Sequence, residues 1–575
     1  MKVILAKTAG FCMGVRRAMN AVIDATHRSH EKTYTLGPLV HNNQAMEMLK
    51  ARSVEVVEHP SEVSSGTLFI RAHGVTPQVR CECELPGVTV HDMTCPHVRR
   101  AQNIVREHAE KGFDAIIVGD KNHAEVIGLL GHAGGRGHVL SSPEEVQDLP
   151  ALERVCLVAQ TTQSSKRFQG IVDAVRQRFP GVEIHNTICS ATDDRQNEVR
   201  ALTRQVEAMV VVGGQHSGNT VRLAEIARAE GIPTFHIETD SELTPEMLRG
   251  FDTIGVTAGA STPHWVFQAV VEKIESFSQS RSTLGRFLVQ PLRIGIHTYL
   301  YLGAGSAAMT YAALRFLEIR QRLSYLLLSF LYVTSMHVLN RFTDRAAAEI
   351  NDPLRMSLFR RIAKPLFWTA VAFGAAALVL AATFGTLPAI LMGASLAAGV
   401  GYNLRIVPGK LSHALRFSKV KEIPGSKDLS PAAAWATVAV LLPCLAERSA
   451  ISFSVLLAFA FVFLLVFNRS LVYDLRDTEG DRLVGNETLP LILGKQRTGW
   501  LLLASFGALF ALIVLDIFIG PRTLHLLALA ISVVYAGLCA LLHYRKVFIS
   551  RKLRFELAVD AQFIIMGFLS WWLTA

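Results

Sequence analysis

Hydrophobic positions follow two unlike rhythms along the 575 residues. Up to about residue 275, short β-rich apolar runs break into polar, helix-like segments. VILA (3–6) is followed by a Gly10-Phe11-Cys12-x-Gly14 turn and a helix from about Val15. GTLFIRAHGV (66–75), DAIIVGDKNHAEVIG (114–128), VVVGGQHSGNTVRLAEIA (210–227) and IGVTAGASTPHWVFQAVVEKI (254–274) repeat the theme. Short apolar runs bounded by turn residues read as buried strands, and their alternation with helices indicates α/β units. From about residue 294 the runs lengthen toward the ~20 residues that a membrane-crossing helix needs. Nine are visible, at about 294–314, 323–340, 365–384, 386–404, 430–446, 451–468, 499–520, 524–543 and 559–574. The pattern predicts an α/β domain over 1–278, a polar linker over 279–293 and an all-α nine-helix transmembrane domain over 294–575.

Charge refines this picture. The formal net charge of +10 sits largely in short loops between apolar runs, so it is not a nucleic-acid signal. Arg341, Arg345, Arg355, Arg360, Arg361 and Lys364 follow the second run, and Arg405, Lys410, Arg416, Lys419, Lys421 and Lys427 follow the fourth. By the positive-inside rule this places the first domain in the cytoplasm and the chain in the cytoplasmic membrane as a multi-pass protein. The apolar run before Lys7 is too short for a signal-peptide core. Eight cysteines without dense pairing patterns fit a reducing compartment.

Three cysteines organise the first domain. Cys12 and Cys95 both begin C-x-x-x-R-R-A, and Cys189 with Arg195 is a looser third copy. Their near-even spacing suggests one small α/β unit used three times, around a pseudo-threefold axis. Three thiolates at one spot could hold zinc with a fourth ligand, or a [4Fe–4S] cluster with one open iron. Alternatively, each is a buried small residue. Cys81, Cys83 and Cys156 fall outside the pattern. His41, His73 and His123 sit at strand ends in what reads as equivalent positions, and suggest a cationic pocket rimmed by loops. Ser217, Asn219 and Thr220, and later Ser261, Thr262 and Pro263, stand at helix starts that could hold phosphate oxygens. The Gly131–Gly137 run does not fit a dinucleotide fingerprint. His123-x-Glu125 lacks the P-C-x-x-C of zinc deaminases.

These motifs, in order, resemble the LytB family of 4-hydroxy-3-methylbut-2-enyl diphosphate reductases. The matches are G-F-C-x-G-V at Cys12, V-H-N at His41, A-H-G-V at His73, T-C-P at Cys95 and H-x-E-V-x-G at His123. They continue with Q-T-T at Thr161, I-C-x-A-T at Cys189, H-S-G-N-T at Ser217 and T-A-G-A-S at Ser261. The resemblance implies a [4Fe–4S] cluster on Cys12, Cys95 and Cys189, and reductive loss of an allylic hydroxyl in the last step of the methylerythritol phosphate route. It implies Glu125 as proton donor, with Thr161 beside the hydroxyl. His41, His73, His123, Ser217, Asn219 and Ser261 would hold the diphosphate, and a ferredoxin- or flavodoxin-type donor would supply electrons. Gly218 stands where many family members have a second serine.

The membrane half carries D-x-x-D-x-x-x-D at Asp474, Asp477 and Asp481, followed by G-x-x-T-L-P. Clustered carboxylates of this kind suit Mg²⁺ shared with a diphosphate. With the nine apolar runs, the motif resembles the UbiA superfamily of intramembrane prenyltransferases. The resemblance implies a prenyl diphosphate, a lipophilic acceptor and a first motif, N-D-x-x-D-x-x-x-D, after the second run. Asn340 and Asp344 match it as candidate Mg²⁺ residues, whereas Arg341 and Ala348 replace two aspartates and Glu349 is one place off. Two readings follow: a Mg²⁺-dependent prenyltransferase, or a non-catalytic membrane anchor or prenyl-lipid-binding module for the reductase.

Overall fold

The computed structural model describes all residues except 29–30, 281–289, 344–350, 403–419, 421–422, 424, 485–487, 519–522, 545–551 and 574–575. The chain forms two compact units, Met1–Ser278 and Gln279–Ala575.

The described residues of the first unit form twelve strands: β1 (Lys2–Leu5), β2 (Thr33–Leu36), β3 (Val54–Val57), β4 (Gly66–Ile70), β5 (Val88–Asp92), β6 (Asp114–Val118), β7 (Gly137–Leu140), β8 (Val155–Ala159), β9 (Glu183–Ile184), β10 (Ala208–Val212), β11 (Thr234–Ile237) and β12 (Thr253–Ala258). They form three parallel four-stranded sheets, ordered β3-β2-β4-β5, β7-β6-β8-β9 and β11-β10-β12-β1. The third sheet repeats the plan of the other two only because the first strand of the chain completes it, with Lys2↔Thr253 through Leu5↔Val256 in register. Every residue of β8 and of β10 is buried. That is why these strands read as unbroken apolar runs, as parallel strands covered on both faces do.

Among the described residues nine α-helices accompany the strands: α1 (Met13–Arg28), α2 (Asn43–Lys50), α3 (Pro77–Glu82), α4 (Pro96–Glu110), α5 (Ala124–His132), α6 (Ser165–Arg178), α7 (Ser190–Thr203), α8 (Gly218–Ala229) and α9 (His264–Ser280). In each sheet, an equivalent helix follows the edge strand β1, β5 or β9. These are α1, α4 and α7, and the three-unit α/β expectation holds.

The second unit is helical. Among the described residues, five helices are long and apolar enough to cross a membrane: Leu323–Thr343, Ala363–Ala382, Ser426–Ala446, Phe453–Thr478 and Lys495–Ile517. Thr386–Gly401 and Leu527–His543 are shorter apolar helices. Two expectations change in detail. The run at 294–314 is two helices, Gln290–His297 and Leu300–Phe316, because Tyr299 adopts a left-handed backbone with φ 63°. The sixth run, 451–468, extends well past its apolar stretch, since its helix runs without a break from Phe453 to Val484 and carries the aspartate motif. The last helix, Lys552–Trp572, buries Glu556 and Asp560 against Arg355 and Arg469. Charges at such depth persist only when paired.

Candidate functional site

Each organising cysteine immediately precedes a helix: Cys12 before α1, Cys95 as N-cap of α4 and Cys189 as N-cap of α7. The backbone holds them identically. The amides of Cys12, Cys95 and Cys189 donate to the carbonyls of Ala260, Ala72 and Thr161 at 3.0, 2.9 and 2.9 Å. Each acceptor lies two residues beyond the end of β12, β4 or β8, at the same place in its sheet. Further clamps join neighbouring units. Arg17 donates to the Met93 and Thr94 carbonyls at 3.0 and 2.5 Å, just ahead of Cys95. Arg195 donates to the Gly10 carbonyl at 2.7 Å, just ahead of Cys12. Gly14 is required by proximity, since a Cβ there would lie 2.8 Å from Cys95 Sγ.

All three thiols are half-buried and close enough to influence one another's charge. Burial pushes the Cys95 and Cys189 thiols up, the His97, Val98, Ala191 and Thr192 N–H groups pull them down, and the negative charge of Cys12 adds a smaller upward push to both. The three sulfurs do not all fall within 4.8 Å of one another. Tetrahedral zinc would hold its sulfurs about 3.8 Å apart. The donor set, its spread and the inward N–H groups fit a multi-iron cluster better than a single ion.

Next to Cys189 lies a buried acid. Glu125, in the first turn of α5, is 1% exposed. The Thr161 amide donates to its Oε1 at 2.7 Å and the Thr161 hydroxyl to its Oε2 at 2.9 Å. Burial pushes this carboxyl up to about 7, the two Thr161 hydrogen bonds opposing. The same Thr161 carbonyl anchors the Cys189 amide, so acid, hydroxyl and thiol share one turn.

His41, His73 and His123 converge, with ring centroids 4.6 Å (His41–His73), 5.7 Å (His41–His123) and 5.4 Å (His73–His123) apart. Their positions are not all equivalent. His41 and His123 follow β2 and β6, the corresponding strands of two sheets, but His73 follows β4, where the counterpart in the third sheet is Ser261. His123 Nδ1 accepts from the Glu125 amide at 3.1 Å, so the proton of neutral His123 is on Nε2. Burial is the main reason all three imidazoles titrate low; the charges of Arg71 and His216 add to it at His41, and the charge of His41 adds to it at His73 and His123. His41 Nε2, His73 Nδ1 and both amide atoms of Asn219 are buried without a hydrogen-bond partner. Ser217 caps α8, with Asn219 inside its first turn, and both are buried. Unsatisfied polar atoms at this density call for a polar ligand, and helix starts favour an anion. Gly214 lets the β10 turn meet the β2 turn, as a Cβ there would be 2.9 Å from the His41 carbonyl. Thr262 does not cap α9. Its hydroxyl donates to the Val212 carbonyl at 2.9 Å.

In the second unit, Asp474 and Asp481 lie two helical turns apart and share one cation, the Lys427 ammonium, at 2.8 and 2.7 Å. Asp477 points elsewhere, with its oxygens taken by Arg476 at 2.7 and 3.0 Å. Asp474 Oδ2 and both oxygens of the fully buried Asp428 have no hydrogen-bond donor. These hard, orphaned oxygens fit Mg²⁺. Asn340 stands near the end of Leu323–Thr343, and Asp344 lies outside the described residues. Arg341 pairs with the Tyr299 hydroxyl, which also accepts from Arg355 at 3.0 Å.

Residues 3–275 match the family model described as LytB protein. The 4-hydroxy-3-methylbut-2-enyl diphosphate reductase of Opitutus terrae is 45% identical over 288 residues, covering 48% of this chain and 100% of its own length. The chain belongs to the LytB family. The reductase of the same name from Caldanaerobacter subterraneus is 41% identical over 280 residues, 48% of this chain and 97% of that protein. Residues 301–563 match the UbiA prenyltransferase family, so a UbiA-family domain follows the LytB domain. A UbiA homolog from Aeropyrum pernix K1 aligns with 46% of this chain and 96% of its own, at 19% identity and a TM-score of 0.36.

Sequence reasoning missed several parts of the LytB site. The Arg17 and Arg195 clamps were visible only as members of the R-R-A repeat. Glu198, which accepts from the Lys7 and Thr8 amides at 2.6 and 2.9 Å and so fixes the approach to Cys12, had no signal. In the UbiA domain, Lys427 read as one more basic loop residue.

Proposed function

We propose that the LytB domain is a 4-hydroxy-3-methylbut-2-enyl diphosphate reductase working on the cytoplasmic side of the membrane. It takes two electrons and two protons, breaks the allylic C–O bond, releases water and yields isopentenyl and dimethylallyl diphosphates. The observation that carries this reading is the convergence of Cys12, Cys95 and Cys189, on equivalent helix starts, with the Glu125–Thr161 pair. When bound to the three thiolates, a [4Fe–4S] cluster supplies single electrons and an open iron acting as Lewis acid. His41, His73, His123, Ser217, Asn219 and Ser261 hold the diphosphate through N–H and O–H donors. With its carboxyl pushed up to about 7, Glu125 retains a proton near neutrality. It can deliver that proton toward the departing hydroxyl, with the Thr161 hydroxyl 2.9 Å away as relay. An external ferredoxin- or flavodoxin-type protein is the electron source. Anaerobic assay of the full chain with reduced viologen tests the reading, because it predicts both five-carbon products.

For the UbiA domain we infer a Mg²⁺-dependent prenyl-transfer site with a lipophilic acceptor, supported by the orphaned oxygens of Asp474 and Asp428. Mg²⁺ would neutralise a prenyl diphosphate and favour its ionisation. Lys427 holds the aspartate pair together before the ligand arrives. Arg341, standing where the family has an aspartate, favours the second reading, a membrane anchor for the reductase. Lipid mass spectrometry of cells with wild-type or Asp474→Asn protein separates the two, since only a transferase loses a prenylated product.

A further inference from the structure

Away from the reductase pocket, β9 and α4 bring together another set of ligating side chains. β9 is an edge strand, paired with β8 as Cys156↔Glu183 and Leu157↔Ile184. The His185 amide continues the ladder to the Leu157 carbonyl at 2.9 Å. Glu183 and His185, two residues apart on extended chain, therefore share a face. Helix α4 packs on β8, and its His108 reaches this face while only 8% exposed.

The hydrogen-bonding role of His108 Nδ1 is set by its neighbour. Nδ1 lies 2.7 Å from the Ile104 carbonyl, which can only accept, so Nδ1 carries hydrogen. In a neutral ring Nε2 is then a bare lone pair. That atom is 3.1 Å from Glu183 Oε2 and 3.2 Å from His185 Nε2. A lone pair facing a carboxylate at this distance is repulsive unless a proton or a metal ion intervenes.

We propose that His108 Nε2, His185 Nε2 and Glu183 Oε2 form a Zn²⁺ site separate from the cysteine centre. The three ligand atoms all lie within 4.8 Å of one another. Ligands arranged tetrahedrally at zinc's usual bond lengths stand about 3.3 Å apart, so the two spacings from His108 Nε2, 3.1 and 3.2 Å, already match. Two imidazoles and one carboxylate suit zinc rather than Mg²⁺ or Ca²⁺. The bond from His108 Nδ1 to a carbonyl is the outer contact that metal-bound histidines commonly make. Glu183 is half exposed, so water can complete the coordination. Zinc here would pin the edge strand to α4, and residues 186–188 lead from His185 straight to Cys189. The site thus steadies one ligand of the reductase centre.

The test uses the full-length protein, purified anaerobically with its iron in place. Wild type, Glu183→Gln and His185→Gln are equilibrated with micromolar ZnCl₂ and desalted. Zinc and iron are then counted by plasma mass spectrometry, and melting temperatures are recorded with and without zinc. All three proteins keep the cysteines and the His41–His73–His123 cluster, so zinc bound there cancels in the comparison. Unchanged iron content shows that a variant is folded, and either variant suffices. The proposal expects one more zinc per chain in wild type than in the variants, and a zinc-dependent rise in melting temperature only in wild type. Equal zinc in all three proteins, or none in wild type, overturns it.

Discussion

Replacing Glu125 with glutamine separates chemistry from architecture at the reductase site. The amide keeps the shape, and its oxygen can still accept from the Thr161 N–H that now bonds Oε1 at 2.7 Å. Turnover should fall by ~10² or more, because the amide has no proton to give. Stability should move the other way. Holding a carboxyl at about 7 instead of 4.5 corresponds to about 3 kcal/mol favouring the neutral form. Because the folded value is raised, this contribution is fully present below about 4.5 and is lost as pH rises through about 7. Above pH 7 the wild type must ionise a buried group that the glutamine variant lacks. Its melting temperature should therefore drop relative to the variant between pH 5 and 8, with at most about 3 kcal/mol at stake. Over the same range, wild-type turnover should decline about tenfold per pH unit above 7, as the acid deprotonates. Anaerobic turnover with reduced viologen and parallel thermal melts read both effects. Near-normal turnover in Glu125→Gln, or a flat wild-type profile from pH 6 to 9, would refute the assignment.

Other substitutions probe single contacts. Gly14→Ala puts a methyl group 2.8 Å from Cys95 Sγ and should cost more than half of the bound iron, measured colorimetrically, whereas Cys81→Ser, at an exposed thiol, should cost none. Gly218→Ser meets open space and adds a hydroxyl at the α8 start, so KM for the diphosphate substrate should fall while kcat holds; a raised KM would remove this turn from the anion site. Lys427→Met frees Asp474 and Asp481 from their shared cation, and Mg²⁺ binding by the full chain, followed calorimetrically, should tighten by ~10-fold.

Much of the first unit was legible because parallel strands buried on both faces leave unbroken apolar runs, as in β8 and β10, and because glycine-rich turns mark their ends. What could not be read was the completion of the third sheet. Pairing of β1 with β12 joins residues from opposite ends of the domain, and no local pattern encodes it. The histidines illustrate a related limit. The A-H-G-V turn at His73 looks like the turns at His41 and His123, yet it follows a different strand of its sheet. In the second unit hydropathy located the helices, but the left-handed Tyr299 that divides the first one has no apolar signature. The aspartate spacing put Asp474 and Asp481 on one face, while the adjacent Arg476 drew Asp477 away, its own position set by neighbouring Tyr473 and by Glu556 from distant sequence.

The central claim is that three helix-capping cysteines, with Glu125 and Thr161, make a reductase of 4-hydroxy-3-methylbut-2-enyl diphosphate. The most direct test is anaerobic reaction of the purified full chain with that substrate and a chemical reductant, with products identified by mass spectrometry and iron counted in the same sample. About four irons per chain, with formation of isopentenyl and dimethylallyl diphosphates that Cys189→Ser abolishes, is the predicted result. Product formation undiminished in Cys189→Ser, or none from wild type carrying its full iron, would contradict the account.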